Sequence, residues 1–134
     1  MDYSPTSIDD VRLFLEGPHR AVLSTLGGDG APHLVVVDYL VTQDGLLVNG
    51  RANRRWVLNL RGDPRTSTLI HDHADVSHWV RISGAAELVG EGDEAAVDDA
   101  KAMARRYGDD PEEFTGQHRV TWRLVADKVL ERAE

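Results

Sequence analysis

Residues 20–51, RAVLSTLGGDGAPHLVVVDYLVTQDGLLVNGR, decide the fold. Residues 20–26 and 32–41 are apolar and rich in β-branched side chains. They are joined by GGDGA, whose glycines permit the positive φ angles of a tight hairpin. Residues 42–45, TQDG, make a second turn, with Asp44-Gly45 as the short-range hairpin signal, and residues 46–51 form a third apolar strand. Three successive strands joined by tight turns predict an antiparallel meander, because parallel neighbours need long crossovers.

Outward from this stretch the pattern stays simple. On the N-terminal side, Ile8–Glu16 places Ile8, Val11, Leu13, Phe14 and Leu15 with helical spacing after Ser7, a good N-cap. On the other side, residues 54–61 predict a two-turn helix with Trp56, Val57 and Leu60 on one stripe. Asn53 is its expected cap, Gly62 its end, and Pro64 stops continuation. Residues 66–70 and 79–90 read as strands. Residues 93–108, alanine-rich, read as a helix, and residues 118–125 alternate Val120, Trp122 and Leu124 as a last, half-buried strand. Six strands and three helices predict a mainly β protein, a small antiparallel barrel with peripheral helices. The 134 residues suit a single domain over 1–134.

Composition narrows the function. With 41% hydrophobic and 28% charged residues the chain reads as globular. No apolar run approaches the ~20 residues that span a bilayer, and the polar, acidic start MDYSPTSIDD supports no secretion signal, so a cytoplasmic location without membrane association is expected. The absence of cysteine removes disulfides, thiolate metal sites and cysteine nucleophiles. Thirteen arginines against two lysines suit GC-rich coding, as in actinobacteria.

The net charge of −8 disfavours nucleic acid, yet residues 51–65 gather five arginines against one aspartate. Arg51 precedes the predicted helix, and Arg54 and Arg55 occupy its first turn, where unpaired N–H groups and the positive dipole end converge. Guanidinium forks match phosphate or carboxylate oxygens bidentately, so this is a candidate anion site. Arg61 and Arg65 lie beyond the far end, where cations favour the negative dipole. The same arginines can instead pair with the chain's many carboxylates, and spacing alone does not choose.

Other candidates are fewer. His71, Asp72, His73 and His78 cluster between two strands, with readings as a polar turn, a pocket rim or a metal site; no metal is expected, because no clear carboxylate supports the imidazoles. Ser24, Ser67 and Ser83 lack elbow glycines, and no triad or paired carboxylates stand out, so hydrolysis is not expected.

Three segments together, AVLSTLGGDGAPHLVVVDY, GLLVNGRANRRWVLNLRGDPRTSTLI and WVRISGAAELVG, resemble the split-barrel flavin and deazaflavin oxidoreductases. These are relatives of pyridoxamine 5'-phosphate oxidase, and the likeness is strongest to the branch using coenzyme F420. The resemblance runs over about residues 8–134 and rests on the T-L-x-x-D-G-x-P hairpin followed by N-L-R-x-D-P-R. It implies a six-stranded split β-barrel, a homodimer with cofactor sites between protomers, and F420-dependent hydride transfer with an electron-poor, quinone-like or conjugated small molecule. FMN is the alternative cofactor, and a non-catalytic haem- or bilin-binding protein the alternative function. Carried over position by position, the family's phosphate grip falls on Asn49, Gly50, Arg51 and Arg54, with Arg55 beside them. Trp79 falls near the ring system, with Arg81 as a further candidate. His33, Tyr39 and His78 are candidates for the substrate side. One departure stands out: most members of this family have a lysine in the helix's first turn, three residues before Asn59, where this chain has Trp56. That exchange weakens the case for FMN most, since in flavin-binding relatives the lysine holds the terminal phosphate.

Overall fold

The computed structural model of the chain describes residues 3–133. Eight strands and three α-helices follow in the order β1 (Ser4–Thr6), α1 (Ile8–Leu15), β2 (Ala21–Leu26), β3 (Pro32–Val37), β4 (Leu40–Val41), β5 (Gly45–Arg51), α2 (Arg55–Gly62), β6 (Arg65–His71), β7 (Trp79–Glu91), α3 (Glu94–Tyr107) and β8 (Arg119–Arg132). A 3-10 turn, Pro111–Phe114, sits between α3 and β8. All strand pairs are antiparallel, in the order β3-β2-β6-β7-β8-β5-β4, with β1 added beside the C-terminal part of β8. Among the described residues β3 and β4 do not pair, so the sheet curls without closing: a split barrel of the expected class.

The strand count is eight, not six. The short β1 escapes a pattern search at three residues, and the expected strand over 32–41 breaks at Asp38-Tyr39 into β3 and β4. That break also overturns the meander. β2 and β3 form the expected hairpin, and β4 and β5 the second, but β5 leaves β3 and pairs with β8 over seven residues, Gly45↔Val125 to Arg51↔Arg119. Tyr39 explains the break. Its ring is fully buried and its hydroxyl donates to the carbonyl of Leu15, 2.7 Å away, which carries the chain out of β3 to the foot of α1.

Inward-facing side chains from five strands make the core: Leu23, Val48, Ile70, Val80, Ile82, Val120 and Leu124 are essentially sealed from solvent. The stripe of α2, Trp56, Val57 and Leu60, plugs one end of it. Caps close two helices, that of α1 as the sequence expects. Ser7 accepts from the Asp10 N–H at the start of α1, Asp93 accepts from the Ala96 N–H at the start of α3, and Gly108 ends α3 with φ +77°. No helix among the described residues is long and apolar enough to cross a membrane.

Two buried attachments lock α3 onto the sheet. Near its start, Asn49 of β5 donates to the Ala96 carbonyl (2.8 Å) and to Thr121 Oγ1 of β8 (2.9 Å), and Thr121 in turn donates to Asp99 (2.8 Å). At its end, Arg106 donates to the carbonyls of Tyr39, Leu15 and Gly17, with its guanidinium over the Tyr39 and Tyr107 rings. Between these two points α3 roofs the end of β5, where the candidate site lies.

Candidate functional site

A pocket of about 250 Å³ opens where β5 ends and α2 begins. Its floor is Asn49, Gly50 and Arg51 of β5 with Trp56 of α2; one wall is Ala100, Met103 and Ala104 of α3; the other is Val36–Asp38 of β3. Arg54, Arg119 and Phe114 complete it. Local geometry shapes the floor. Glycine at residue 50 leaves room for the indole, because a Cβ there would lie 2.4 Å from Trp56 Cζ2. Trp56 is 6% exposed and belongs to the hydrophobic core, so the position where the family has a lysine carries a packing residue and no charge.

The start of α2 differs in one detail from the expectation. Arg54, not Asn53, is the N-cap, in extended conformation and with no side-chain cap bond. Asn53 falls outside because residues 51–54 turn on themselves, Arg54 N–H donating to the Arg51 carbonyl. The first turn holds no acidic side chain. An uncapped helix start bordered by arginines therefore faces the pocket region without an anion of its own.

The five arginines of the basic stretch divide sharply. Arg61 is tied to Glu91 at 2.5 Å and Arg65 to Asp63 at 2.7 Å, and Arg65 holds that carboxyl down to about 2. Among the described residues Arg51, Arg54 and Arg55 have no ion pair. Arg51 and Arg54 line the pocket. Arg55, one step further around α2, borders a separate cleft beside the Gly27–Gly30 turn.

A third guanidinium joins the first two from a distant part of the chain. Arg119 opens β8 directly across from Arg51 and is 9% exposed. Its Nε donates to Asn49 Oδ1 and its Nη1 to Gln117 Oε1, both at 2.8 Å, and the Phe114 ring lies 4.8 Å from its Cζ. Burial, with the nearby charges of Arg51 and Arg54, pushes its pKa down to about 10, so it stays cationic at neutral pH. Asn49 thus spends its side chain on Ala96, Thr121 and Arg119.

The remaining candidates lie elsewhere. Trp79 pairs across from His71 and meets Tyr3, ring centres 5.7 Å apart, away from the pocket; Arg81 lies over the same Tyr3 ring. Tyr39 is sealed in the core, and burial raises its pKa to about 12. His33 sits on β3 opposite Thr25, outside the pocket lining. His78 packs at a tilt against the Phe14 ring and bonds Glu131 at 3.1 Å, while His71 contacts the Asp72 carbonyl. Among the described residues no group of three or more potential ligands could hold a metal.

The pyridoxamine 5'-phosphate oxidase family model matches residues 8–133. The chain belongs to that family. As a pyridoxamine 5'-phosphate oxidase relative it shares its fold with several solved structures. A conserved hypothetical protein from Mycobacterium tuberculosis is 28% identical, with TM-score 0.76, covering 92% of this chain and 82% of that one. An F420 reductase is 15% identical, TM-score 0.72, covering 91% and 96%. HutZ, the haem storage protein from Vibrio cholerae, is 18% identical, TM-score 0.73, covering 93% and 94%. No curated protein matches the chain significantly.

For a member of the pyridoxamine 5'-phosphate oxidase family, the sequence reading brought together Asn49, Gly50, Arg51, Arg54 and Trp56 and missed Arg119 and Phe114. The signal for Arg119 was present but indirect. Val120, Trp122 and Leu124 mark one face of the last strand, so Arg119 and Thr121 share the other. Only the β5–β8 register places that face beside Asn49 and Arg51.

Proposed function

We propose that this protein is an oxidoreductase that seats the anionic tail of a deazaflavin coenzyme, F420, against Arg51, Arg54 and Arg119. The observation carrying this reading is the division of the arginines: the pair beyond the far end of α2 is neutralised by acids, and the three at the pocket are not. Buried or clustered cations without counter-ions suit an anionic ligand. Trp56 in place of the lysine argues against FMN, since no cation stands at that position for a compact terminal phosphate.

The pocket's 250 Å³ falls below the ~300–1,000 Å³ of sites that enclose a whole drug-sized ligand. It suits a tail, with the ring system lying in a groove that a second copy of the chain completes. A homodimer fits the surface beside it. Leu34 and Val36 of β3 are 66% and 64% exposed, and Val36, Val22 and Leu69 form one cross-strand row on the outer face. Val36 also lines the pocket, so that face and the pocket are continuous. Trp79, His33 and His78 are then candidates for the partner-facing groove.

When bound, a reduced deazaflavin would supply the hydride to an electron-poor small molecule. The chain's own work is orientation: charge fixes the tail, the Trp56–Gly50 floor sets depth, and the partner covers the rings and excludes water. No dedicated acid or base is required of these residues. Titration of the purified protein with F420, FMN and haemin tests the proposal. Saturable F420 binding without FMN binding supports it; haemin binding alone would make the protein a tetrapyrrole carrier, and binding of none of the three would remove the catalytic reading.

A further inference from the structure

Residues 15–19, where α1 hands over to β2, carry the attachment that holds the end of α3. Arg106 donates to the carbonyls of Leu15 and Gly17, at 2.8 and 2.9 Å, and to that of Tyr39. The Tyr107 hydroxyl donates to the carbonyl of His19 at 2.6 Å. The His19 ring lies against the same Gly17, so closely that a Cβ on residue 17 would stand 2.8 Å from its Nε2. It stacks on Phe14, ring centres 4.5 Å apart, and Phe14 also meets His78 at 4.2 Å.

His19 is built to be neutral. Its Nδ1 is buried and has no hydrogen-bond partner. In the tautomer protonated at Nε2 that nitrogen carries only a lone pair, but the imidazolium makes it a charged donor without an acceptor. His71, Asp72 and His78 face the ring from the 71–78 segment, and Arg106 faces it from α3. Asp72 already accepts from the Ala74 N–H, Glu131 of β8 is engaged with His78, and Asp75 is turned to Ser77. Arg20, next in the chain, is spent on Asp38 and lies over the Tyr107 ring. A charge on His19 would thus meet one carboxylate, Asp72, against Arg106 and two further imidazoles. Burial lowers its pKa; Asp72 opposes the shift, and Arg106, His78 and His71 reinforce it. The stability this group contributes is complete above about 6.5 and is lost as pH falls through the lower folded value.

We infer that His19 is a proton-operated latch on the roof of the pocket: neutral, it lets Arg106 and Tyr107 hold the end of α3 down, and protonated, it repels Arg106 and frees that end. Met103 and Ala104, within one turn of this attachment, belong to the pocket wall. The start of α3 is held separately, by Asn49 on the Ala96 carbonyl and Thr121 on Asp99, with no imidazole involved. Acid therefore loosens the roof from one end only. The inference rests on the pocket being the coenzyme's seat and adds a regulation to it.

Hydrogen exchange of the full chain, read by mass spectrometry and corrected for the intrinsic pH dependence of exchange, tests this between about pH 7.5 and about pH 5, with F420 titrations alongside. In the wild-type protein the amides of residues 101–108 should lose protection about tenfold on acidification while those of residues 97–100 hold. His19→Gln cannot take up the proton and should keep its protection throughout. F420 affinity should fall about fivefold more on acidification in the wild-type protein than in His19→Gln, a comparison that cancels any titration of the coenzyme itself. Should His19→Gln prove loose already at neutral pH, His19→Phe restores an uncharged ring against Phe14 and should give the protected, pH-insensitive helix. Looseness at neutral pH in both variants overturns the inference, because packing of the ring and not its proton would then hold α3. Acid-induced exchange that persists in a folded variant, or that spreads evenly over the chain, overturns it as well. F420 binding with the same pH dependence in the wild-type protein and His19→Gln overturns the latch and leaves the proposed function standing. Loosening of α3 that depends on His19, in a protein that binds no F420 at either pH, supports the latch and rejects the coenzyme.

Discussion

Replacing Gly50 with alanine should destabilise the protein and distort its pocket through a single contact. The added Cβ would lie 2.4 Å from Trp56 Cζ2 and 3.2 Å from Cε2 and Cη2. Carbon atoms in contact ordinarily rest ~3.5–4.0 Å apart, so the indole must retreat by about an ångström. Trp56 is 6% exposed within the core and has little room to do so. Overpacking of this kind costs roughly 1–3 kcal/mol. Alanine recovers ~0.5–1 kcal/mol over glycine in an extended strand, which leaves a net loss of about 1–2 kcal/mol. For a chain of 134 residues that is a fall in Tm of about 3–8 °C. Thermal and urea unfolding measure it, and a double-mutant cycle isolates the contact: in a Trp56→Leu background the same glycine change should be nearly neutral. A Gly50→Ala protein as stable as the parent, or an equal loss in both backgrounds, would refute the steric reasoning. The same geometry warns against a simple Trp56→Lys exchange, which would bury an amine in the core.

Arg106→Met should cost about 3 kcal/mol in urea unfolding, because the carbonyls of Tyr39, Leu15 and Gly17 lose a charged donor together and α3 loses its C-terminal anchor. Burial, opposed by Asp72 and reinforced by Arg106, lowers the pKa of His19, whose Nδ1 has no partner. The folded state therefore favours the neutral ring. Stability from this group is present above the unfolded value near 6.5 and is lost as pH falls through the lower folded value, so His19→Gln should flatten the acid limb of a stability–pH curve. Arg61→Ala and Arg65→Ala, which remove cations already paired with Glu91 and Asp63, should leave F420 affinity within about twofold in a fluorescence titration.

Local signals in the sequence held up where a few adjacent residues suffice. The Gly27–Ala31 hairpin, the Ser7 cap and the stripe of α2 each depend on neighbours within one or two turns, and all stand in the structure. Pairing at a distance did not follow from those signals. Nothing local tells β5 to leave β3 for β8, since the decision rests on Tyr39 being drawn under α1 and on β8 being long enough to serve β7, β5 and β1 at once. The site shows the same limit. Arg51 and Arg54 were legible as a cluster, whereas Arg119 joins them only through the register of two strands about seventy residues apart. Charge spacing also could not separate Arg61 from Arg51, Arg54 and Arg55, because its acid, Glu91, is brought to it by the fold, whereas Arg65 pairs with the neighbouring Asp63.

The most direct measurement is a calorimetric titration of oxidised F420 into the wild-type protein and into Arg54→Ala. Saturable binding to the wild-type chain, weakened by about 1–3 kcal/mol in the variant, is expected for loss of a charged hydrogen-bonding group at the coenzyme tail. Identical affinities in the two proteins, or no binding to either, would contradict it.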